Sequence, residues 1–108
     1  MIDDPEFIEL FRDETSDRLR DLRNALRLLY RDQSDAHALQ SGRRAAHTIR
    51  GSAGLMARKE ISKLAGEIED GLYEASKASK ASNGKQSLSV RAVVHYARLA
   101  EQIKAQVP

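Results

Sequence analysis

The stretch RAAHTIRGSAGLMARKEISKLAGEIED (residues 44–70) carries two apolar stripes, one on each side of a short polar break. Within each stripe the apolar side chains recur at steps of three and four residues, which is the spacing of one buried helix face. Extended to their neighbours, the stripes consist of Leu39, Ala46, Ile49, Ala53 and Met56, and of Ile61, Leu64, Ala65, Ile68, Leu72 and Ala75. The stretch therefore predicts two helices that form a hairpin with a turn near Arg58.

A long amphipathic helix is predicted before this hairpin. Asp4 and Pro5 favour a helix start, because an Asp at the cap accepts free backbone N–H groups and a Pro in the first position loses no hydrogen bond. The apolar face that follows consists of Ile8, Phe11, Thr15, Leu19, Leu22, Leu26 and Leu29. The polar stretch RDQSD (31–35) ends this helix and offers Asp32 or Ser34 as the cap of the next one.

A fourth helix is predicted after the hairpin. The repeat ASKASKASNGKQS (75–87) indicates a frayed helix end and a loop, with residues 80–86 the most mobile. Ser87 or Ser89 is a candidate cap for the last helix. Its apolar face consists of Val90, Val93, Ala97, Ala100, Ile103 and Val107, widened by Tyr96 and Leu99.

Four amphipathic helices with short connections favour an all-α fold, an antiparallel up-down four-helix bundle. The predicted helices are 5–31, 35–56, 58–79 and 87–107, within a single domain that spans residues 1–108. The composition is typical of a soluble helical protein, with 31% charged, 41% hydrophobic and 5% aromatic residues.

Charge and composition also exclude several classes of function. The 18 basic and 16 acidic side chains nearly cancel, so the net charge of +2 does not favour nucleic acid as a partner. The absence of cysteine excludes disulfides and thiol chemistry. No apolar run approaches the ~20 residues that span a bilayer, and the acidic start lacks the features of a signal peptide. We therefore expect a monomer in the cytoplasm without membrane contact.

His47 is the most conspicuous candidate for chemistry, because it lies off the apolar stripe of its helix and should face outward. The residues three, four and seven positions away share its face. They are Arg43, Arg44, Arg50, Gly51 and Gly54. A glycine inside a helix costs about 1 kcal/mol relative to alanine, so two of them beside His47 suggest that another molecule approaches the backbone there. The arginines suit an anion.

A phosphoryl group is the anion that fits this pattern best. A neutral imidazole has a nucleophilic nitrogen near pH 7 and can accept phosphoryl covalently, while Arg50 can pair with the phosphoryl oxygens through its planar fork. The second ring nitrogen needs a partner, commonly a carboxylate. His47 and Glu69 each lie eleven residues from Arg58, so a tight hairpin would place them at the same level.

Residues 44–70 resemble the core of the histidine phosphotransfer (Hpt) domains of two-component signalling. The stretch FRDETSDRLRDLRNALRLL (11–29) resembles more loosely the first helix of such domains, especially in chemotaxis-type histidine kinases. The sequence departs from the pattern at Gly66, where the kinase type often has a second histidine, and at Ala57-Arg58, where a Gly-Leu pair often closes the second helix.

The resemblance implies a role for individual residues. His47 would be the phosphoacceptor, and Arg50 fills the place where the family usually has lysine. Gly51 would be the small residue that admits the partner. Glu69 falls at the place of a glutamate that hydrogen-bonds the histidine in the chemotaxis-kinase type.

The resemblance also implies a phosphoryl carrier rather than an enzyme. Such a domain accepts phosphoryl from a histidine kinase ATP-binding domain or a receiver aspartate, and passes it to the aspartate of a response-regulator receiver domain. No glycine-rich phosphate loop occurs here, so the kinase domain would belong to another chain or another part of the same one. We expect a relay protein or, preferentially, the excised first domain of a chemotaxis-type kinase, with the receiver docked over Gly51 and Gly54. Arg43 and Arg44 fit two interpretations equally well, a solvated helix face and a part of that docking surface.

The sequence offers two other classes of function. A DNA-binding helical domain is suggested by RKEISKLAGEI (58–68), but the next segment begins with two acids instead of base-reading side chains. A plain scaffolding bundle would need the small residues at 51–54 to face the core. His37 and His95 lack metal-ligand spacing from His47 and are expected at the surface, so no metal site is expected. The Leu and Ile stripes form the core and leave little room for a cofactor, so none is expected. Close helix packing is the preferred explanation for Gly42, Gly66 and Gly71.

Overall fold

The computed structural model describes residues 4–81 and 88–108, and these form an up-down four-helix bundle. The helices are α1 (Pro5–Arg31), α2 (Ala36–Leu55), α3 (Lys59–Ala81) and α4 (Val90–Gln106). Each helix packs against the helices before and after it and α4 closes the ring against α1, whereas the described residues give no diagonal contact. The bundle is elongated, 47 × 21 × 18 Å. The predicted all-α fold is confirmed.

The start of α1 is as predicted, but the predicted cap of α2 is wrong. The Asp4 carboxylate accepts the Glu6 N–H at 2.8 Å, whereas α2 is capped by Asp35, which accepts the Ala38 N–H at 3.0 Å. Because α1 continues to Arg31, Asp32 ends that helix and the chain must reverse before α2 begins. Asp32 instead accepts bonds from the Ser34 hydroxyl and N–H, which lower the pKa of its carboxyl.

The connection between α2 and α3 is a tight turn at 56–58. The Arg58 N–H donates to the Ala53 carbonyl at 2.8 Å and the Ala57 N–H to the Gly54 carbonyl at 3.2 Å. This pair of bonds is a Schellman motif, which places Ala57 in the left-handed region at φ 58°. The predicted turn near Arg58 is confirmed, although α2 ends one residue earlier and α3 begins one residue later than predicted.

The core consists mainly of the predicted stripes, with Met56, Tyr96, Ala97 and Val107 only partly buried against it. Every predicted residue of the α3 stripe is buried, and so are all those of α1 except Ile8, which is partly exposed. In α4 the prediction is wrong for Val90, which is 42% exposed because it is the first residue of the helix. The largest fully buried side chains are Leu22, Leu29, Leu39, Ile49, Ile61, Ile68, Leu72 and Ile103.

The ends of α3 and α4 differ from the sequence prediction. Helix α3 continues through Ala81 instead of ending at residue 79. Ser89 caps α4, since its hydroxyl accepts the Ala92 N–H at 3.0 Å. Residues 80 and 81 of the predicted mobile stretch 80–86 belong to α3, whereas its remainder, 82–86, and the alternative cap Ser87 lie outside the described residues.

Two glycines allow close helix packing, as predicted. A Cβ at Gly42 would lie 3.0 Å from Leu72 Cδ1 and 3.2 Å from Ala25 Cβ, so the missing side chain lets α2 approach both neighbours. A Cβ at Gly71 would overlap the Tyr96 hydroxyl, so this glycine receives a side chain from α4.

Candidate functional site

His47 lies near the middle of α2 with its side chain 69% exposed. Its Nδ1 is 2.6 Å from Oε2 of Glu69, which lies on α3. An ionised carboxylate only accepts, so this contact places the ring proton on Nδ1 in the neutral imidazole and leaves Nε2 with its lone pair. Within the described chain Nε2 has no hydrogen-bond partner. The ring nitrogen with the lone pair thus belongs to a side chain that is largely exposed to solvent.

Glu69 is the buried member of the pair, with its side chain 12% exposed. It follows Ile68 in the core stripe of α3, so its carboxylate emerges at the junction of α2 and α3. Its second oxygen, Oε1, accepts a hydrogen bond from Arg50 Nη1 at 3.2 Å, and the same nitrogen lies 3.6 Å from Asp70 Oδ1. One carboxylate therefore orients both an imidazole and a guanidinium.

Gly51 and Gly54 are exposed and are not required for packing within the bundle. A Cβ at Gly51 would have no neighbouring atom within 4 Å, and one at Gly54 would meet only the Ser62 hydroxyl, at 3.9 Å. The scaffolding interpretation needs these residues to face the core, and in this stretch the buried residue is Ala53 instead. The surface beside His47 is therefore bare backbone.

A family model, the Hpt domain, matches residues 6–106. The chain belongs to the Hpt domain family. Hpt domains are phosphocarriers that act in two-component signalling through transfer of phosphoryl groups. Comparison with the curated proteins and with the solved structures found no match.

The two arginines before His47 diverge in this Hpt domain. The Arg43 guanidinium lies 5.8 Å from the ring centroid of Tyr73, on the α3 side. Arg44 instead lines a groove between α1 and α2, together with Arg18 and Thr48. Arg43 and Arg44 therefore do not form one basic patch around the imidazole. Arg50 is the arginine that contacts the His47–Glu69 pair, through its hydrogen bond to Glu69.

An apolar groove between the start of α1 and the end of α2 was missed by sequence analysis. It is lined by Phe7, Leu10, Leu55 and Met56 and has a volume of about 420 Å³. Leu10 is 64% and Leu55 82% exposed, which is unusual for large apolar side chains. The sequence feature that could have predicted this groove is that Phe7, Leu10 and Leu55 are large apolar residues outside the core stripes.

The groove adjoins the surface around His47. Residues 47, 51 and 55 are spaced by four and therefore follow one row along α2. The Hpt domain thus presents an imidazole, bare backbone and an apolar groove in succession.

The other histidines lie apart from this surface. His95 Nε2 is 2.6 Å from Glu67 Oε2, and both side chains are about half exposed. His37 lines the groove that contains Arg44. Among residues 4–81 and 88–108 there is no group of three potential metal ligands, and no helix there is long and apolar enough to cross a membrane.

Proposed function

We propose that this Hpt domain carries phosphoryl on Nε2 of His47. The Nε2 lone pair attacks the phosphorus of a phosphorylated receiver aspartate, or the γ-phosphorus of ATP held by a histidine kinase. An N–P bond forms, and the P–O bond to the aspartate or to ADP breaks, so that the leaving oxygen keeps the electron pair. The reverse attack by the aspartate of a response-regulator receiver regenerates the neutral imidazole. The observation that carries the proposal is the contact between Nδ1 and Glu69, because a carboxylate that accepts from Nδ1 leaves the lone pair of the neutral imidazole on Nε2.

Glu69 acts on the ring through the opposite nitrogen. Attack by Nε2 leaves the proton on Nδ1, and the ring then bears a positive charge. The carboxylate 2.6 Å away offsets this charge and holds the ring in one orientation. Arg50, which is half exposed, can turn its free N–H groups toward the phosphoryl oxygens while Nη1 keeps its bond to Glu69.

The docking surface for partner proteins follows the row from His47 through Gly51 to Leu55. Bare backbone at Gly51 and Gly54 lets a receiver approach closely enough for its aspartate to reach Nε2. The apolar groove beside Leu55 offers area that a partner can bury. Arg43 and Arg44 contribute to the rim of this surface on opposite sides.

The domain acts in the cytoplasm as a monomer, either as a relay protein or as the excised first domain of a chemotaxis-type kinase. The glutamate at position 69, hydrogen-bonded to the histidine, supports the kinase type. The kinase ATP-binding domain belongs to a separate chain or to another part of a longer one.

The test is phosphoryl labelling with histidine kinases and ATP, and with receiver domains charged by acetyl phosphate. We expect label that is labile in acid and stable in alkali, as phosphohistidine is, and that disappears in His47→Gln. The matched controls are His37→Gln and His95→Gln, which should label like the wild type. Equal labelling of His47→Gln and the wild type would reject the assignment.

A further inference from the structure

We propose that Gly66 is a positioning residue for phosphoryl transfer, because the side chain of Arg50 lies directly on its bare Cα. This inference rests on the proposed role of His47. A Cβ built at Gly66 would lie 3.3 Å from Nε, 3.4 Å from Cζ and 3.5 Å from Cδ of Arg50. The Nε contact is tighter than an ordinary van der Waals contact, so a side chain at position 66 would press the guanidinium outward by a few tenths of an ångström.

Three residues of α3 hold the Arg50 side chain. Gly66, Glu69 and Asp70 are three and four positions apart and so share one face of the helix. Glu69 and Asp70 place oxygens 3.2 Å and 3.6 Å from Nη1, and Gly66 lies beneath Nε and Cζ. We call this set the Arg50-binding face of α3. Glu69 and Asp70 supply negative charge, and Gly66 leaves space for the guanidinium.

Core packing does not explain this glycine. At Gly42 the atoms nearest to an added Cβ belong to the buried side chains Leu72 and Ala25, whereas at Gly66 all three nearest atoms belong to Arg50. The Arg50 side chain is 49% exposed and has room to move into solvent. Alanine at position 66 would improve helix propensity, so the glycine here favours one position of Arg50 over helix stability.

A side chain at position 66 would displace the guanidinium from Glu69. The Nη1–Oε1 distance is already 3.2 Å, the long end of the usual range, so an outward shift of a few tenths of an ångström would weaken this hydrogen bond. The phosphoryl group on His47 would then lose a cation held at a fixed place. A lysine at position 50 would have an unbranched aliphatic chain and a single ammonium, and so would lack the planar guanidinium that packs against residue 66. Position 66 thus determines whether arginine or lysine functions at position 50.

The experiment is a double-mutant cycle of Gly66→Ala and Arg50→Ala. Phosphoryl transfer from an acetyl-phosphate-charged receiver domain is measured together with urea unfolding. We expect Gly66→Ala to slow transfer about three- to tenfold, as is typical of contacting residues, without loss of stability. In the Arg50→Ala background the same substitution should have no further effect. Arg50→Lys should restore transfer in Gly66→Ala.

The matched control is Gly42→Ala, which adds the same methyl group to a crowded position away from the site. It should lower the free energy of unfolding but leave the transfer rate of the folded protein unchanged. If Gly66→Ala slows transfer equally with and without Arg50, the positioning role is wrong.

A readout without phosphoryl separates this inference from the proposed function. The NMR resonance of Arg50 Nε–H should shift in unphosphorylated Gly66→Ala, and an unchanged resonance would overturn the contact between the two residues. Failure of the wild type to label on His47, with the resonance shifted as expected, would instead reject the proposed function.

Discussion

Replacement of Glu69 by alanine is expected to slow phosphoryl transfer through His47 about tenfold without abolishing it. The substitution removes the acceptor of two hydrogen bonds, one from His47 Nδ1 at 2.6 Å and one from Arg50 Nη1 at 3.2 Å. The nucleophilic nitrogen itself stays in place. What is lost is the orientation of the ring and the negative charge beside it.

The magnitude follows from the exposure of the two partners. Hydrogen bonds to charged groups contribute ~1.5–3 kcal/mol, but the His47 side chain is 69% exposed and water can replace part of the interaction. We therefore take a value just below this range, about 1.4 kcal/mol, which corresponds to a factor of ten in rate. Stability should change little, because removal of a carboxylate that is 12% exposed also removes its desolvation cost.

The assay is single-turnover transfer from a charged receiver domain, with thermal unfolding as the check on folding. Glu69→Gln is the matched comparison, since it keeps the shape and removes the charge. With its amide oxygen toward Arg50, the NH₂ group faces Nδ1 and forces the ring proton onto Nε2, the nitrogen that must attack. Glu69→Gln should therefore transfer no faster than Glu69→Ala. Wild-type rates in either variant would refute the role of the carboxylate.

Three further predictions concern the turn, the groove and α4. Ala57→Gly should raise the free energy of unfolding in urea by ~0.5–1 kcal/mol, because φ of 58° suits glycine; an unchanged midpoint would show no strain. Leu55→Asp should slow exchange with receiver domains but not labelling of His47 by phosphoramidate, whereas Val90→Asp, at the other end of the bundle, should affect neither. Burial and the charge of Glu67 raise the pKa of Tyr96. The stability that the protonated Tyr96 contributes is therefore present below about pH 10 and is lost as pH rises through the raised pKa. Above about pH 10, Tyr96→Phe should lose less free energy of unfolding with rising pH than the wild type.

The helices and the core were predictable because burial imposes a periodicity that the sequence records directly. The same regularity predicted that His47 and Glu69 lie at the same height along the bundle, since each is eleven residues from Arg58 in the tight turn. The caps were harder to predict. Within 31–35 several side chains are good acceptors, and the path of the backbone decides that Asp35 rather than Asp32 or Ser34 caps α2.

Features that depend on contacts between distant segments were not predictable. The apolar groove forms because Phe7 and Leu10 of α1 meet Leu55 at the end of α2, and neither helix alone shows it. The contact between Arg50 and Gly66 likewise depends on the separation of α2 and α3. The helical periodicity of the sequence does not distinguish Gly66 from Gly42, and only the identity of the neighbouring atoms separates an arginine contact from core packing.

In the proposed function, chemistry and recognition use separate parts of one small bundle. The groups proposed to act on phosphoryl, His47 and Arg50 of α2 with Glu69 of α3, meet at a single interhelix junction. The groove near Leu55 lies at the end of α2 and is shared with α1. It follows that substitutions in Glu69 should slow transfer from every donor, including a small molecule such as phosphoramidate, whereas substitutions in the groove should affect only donors that are proteins. A variant of Leu55 that slows both classes equally would show that the two functions are not separable.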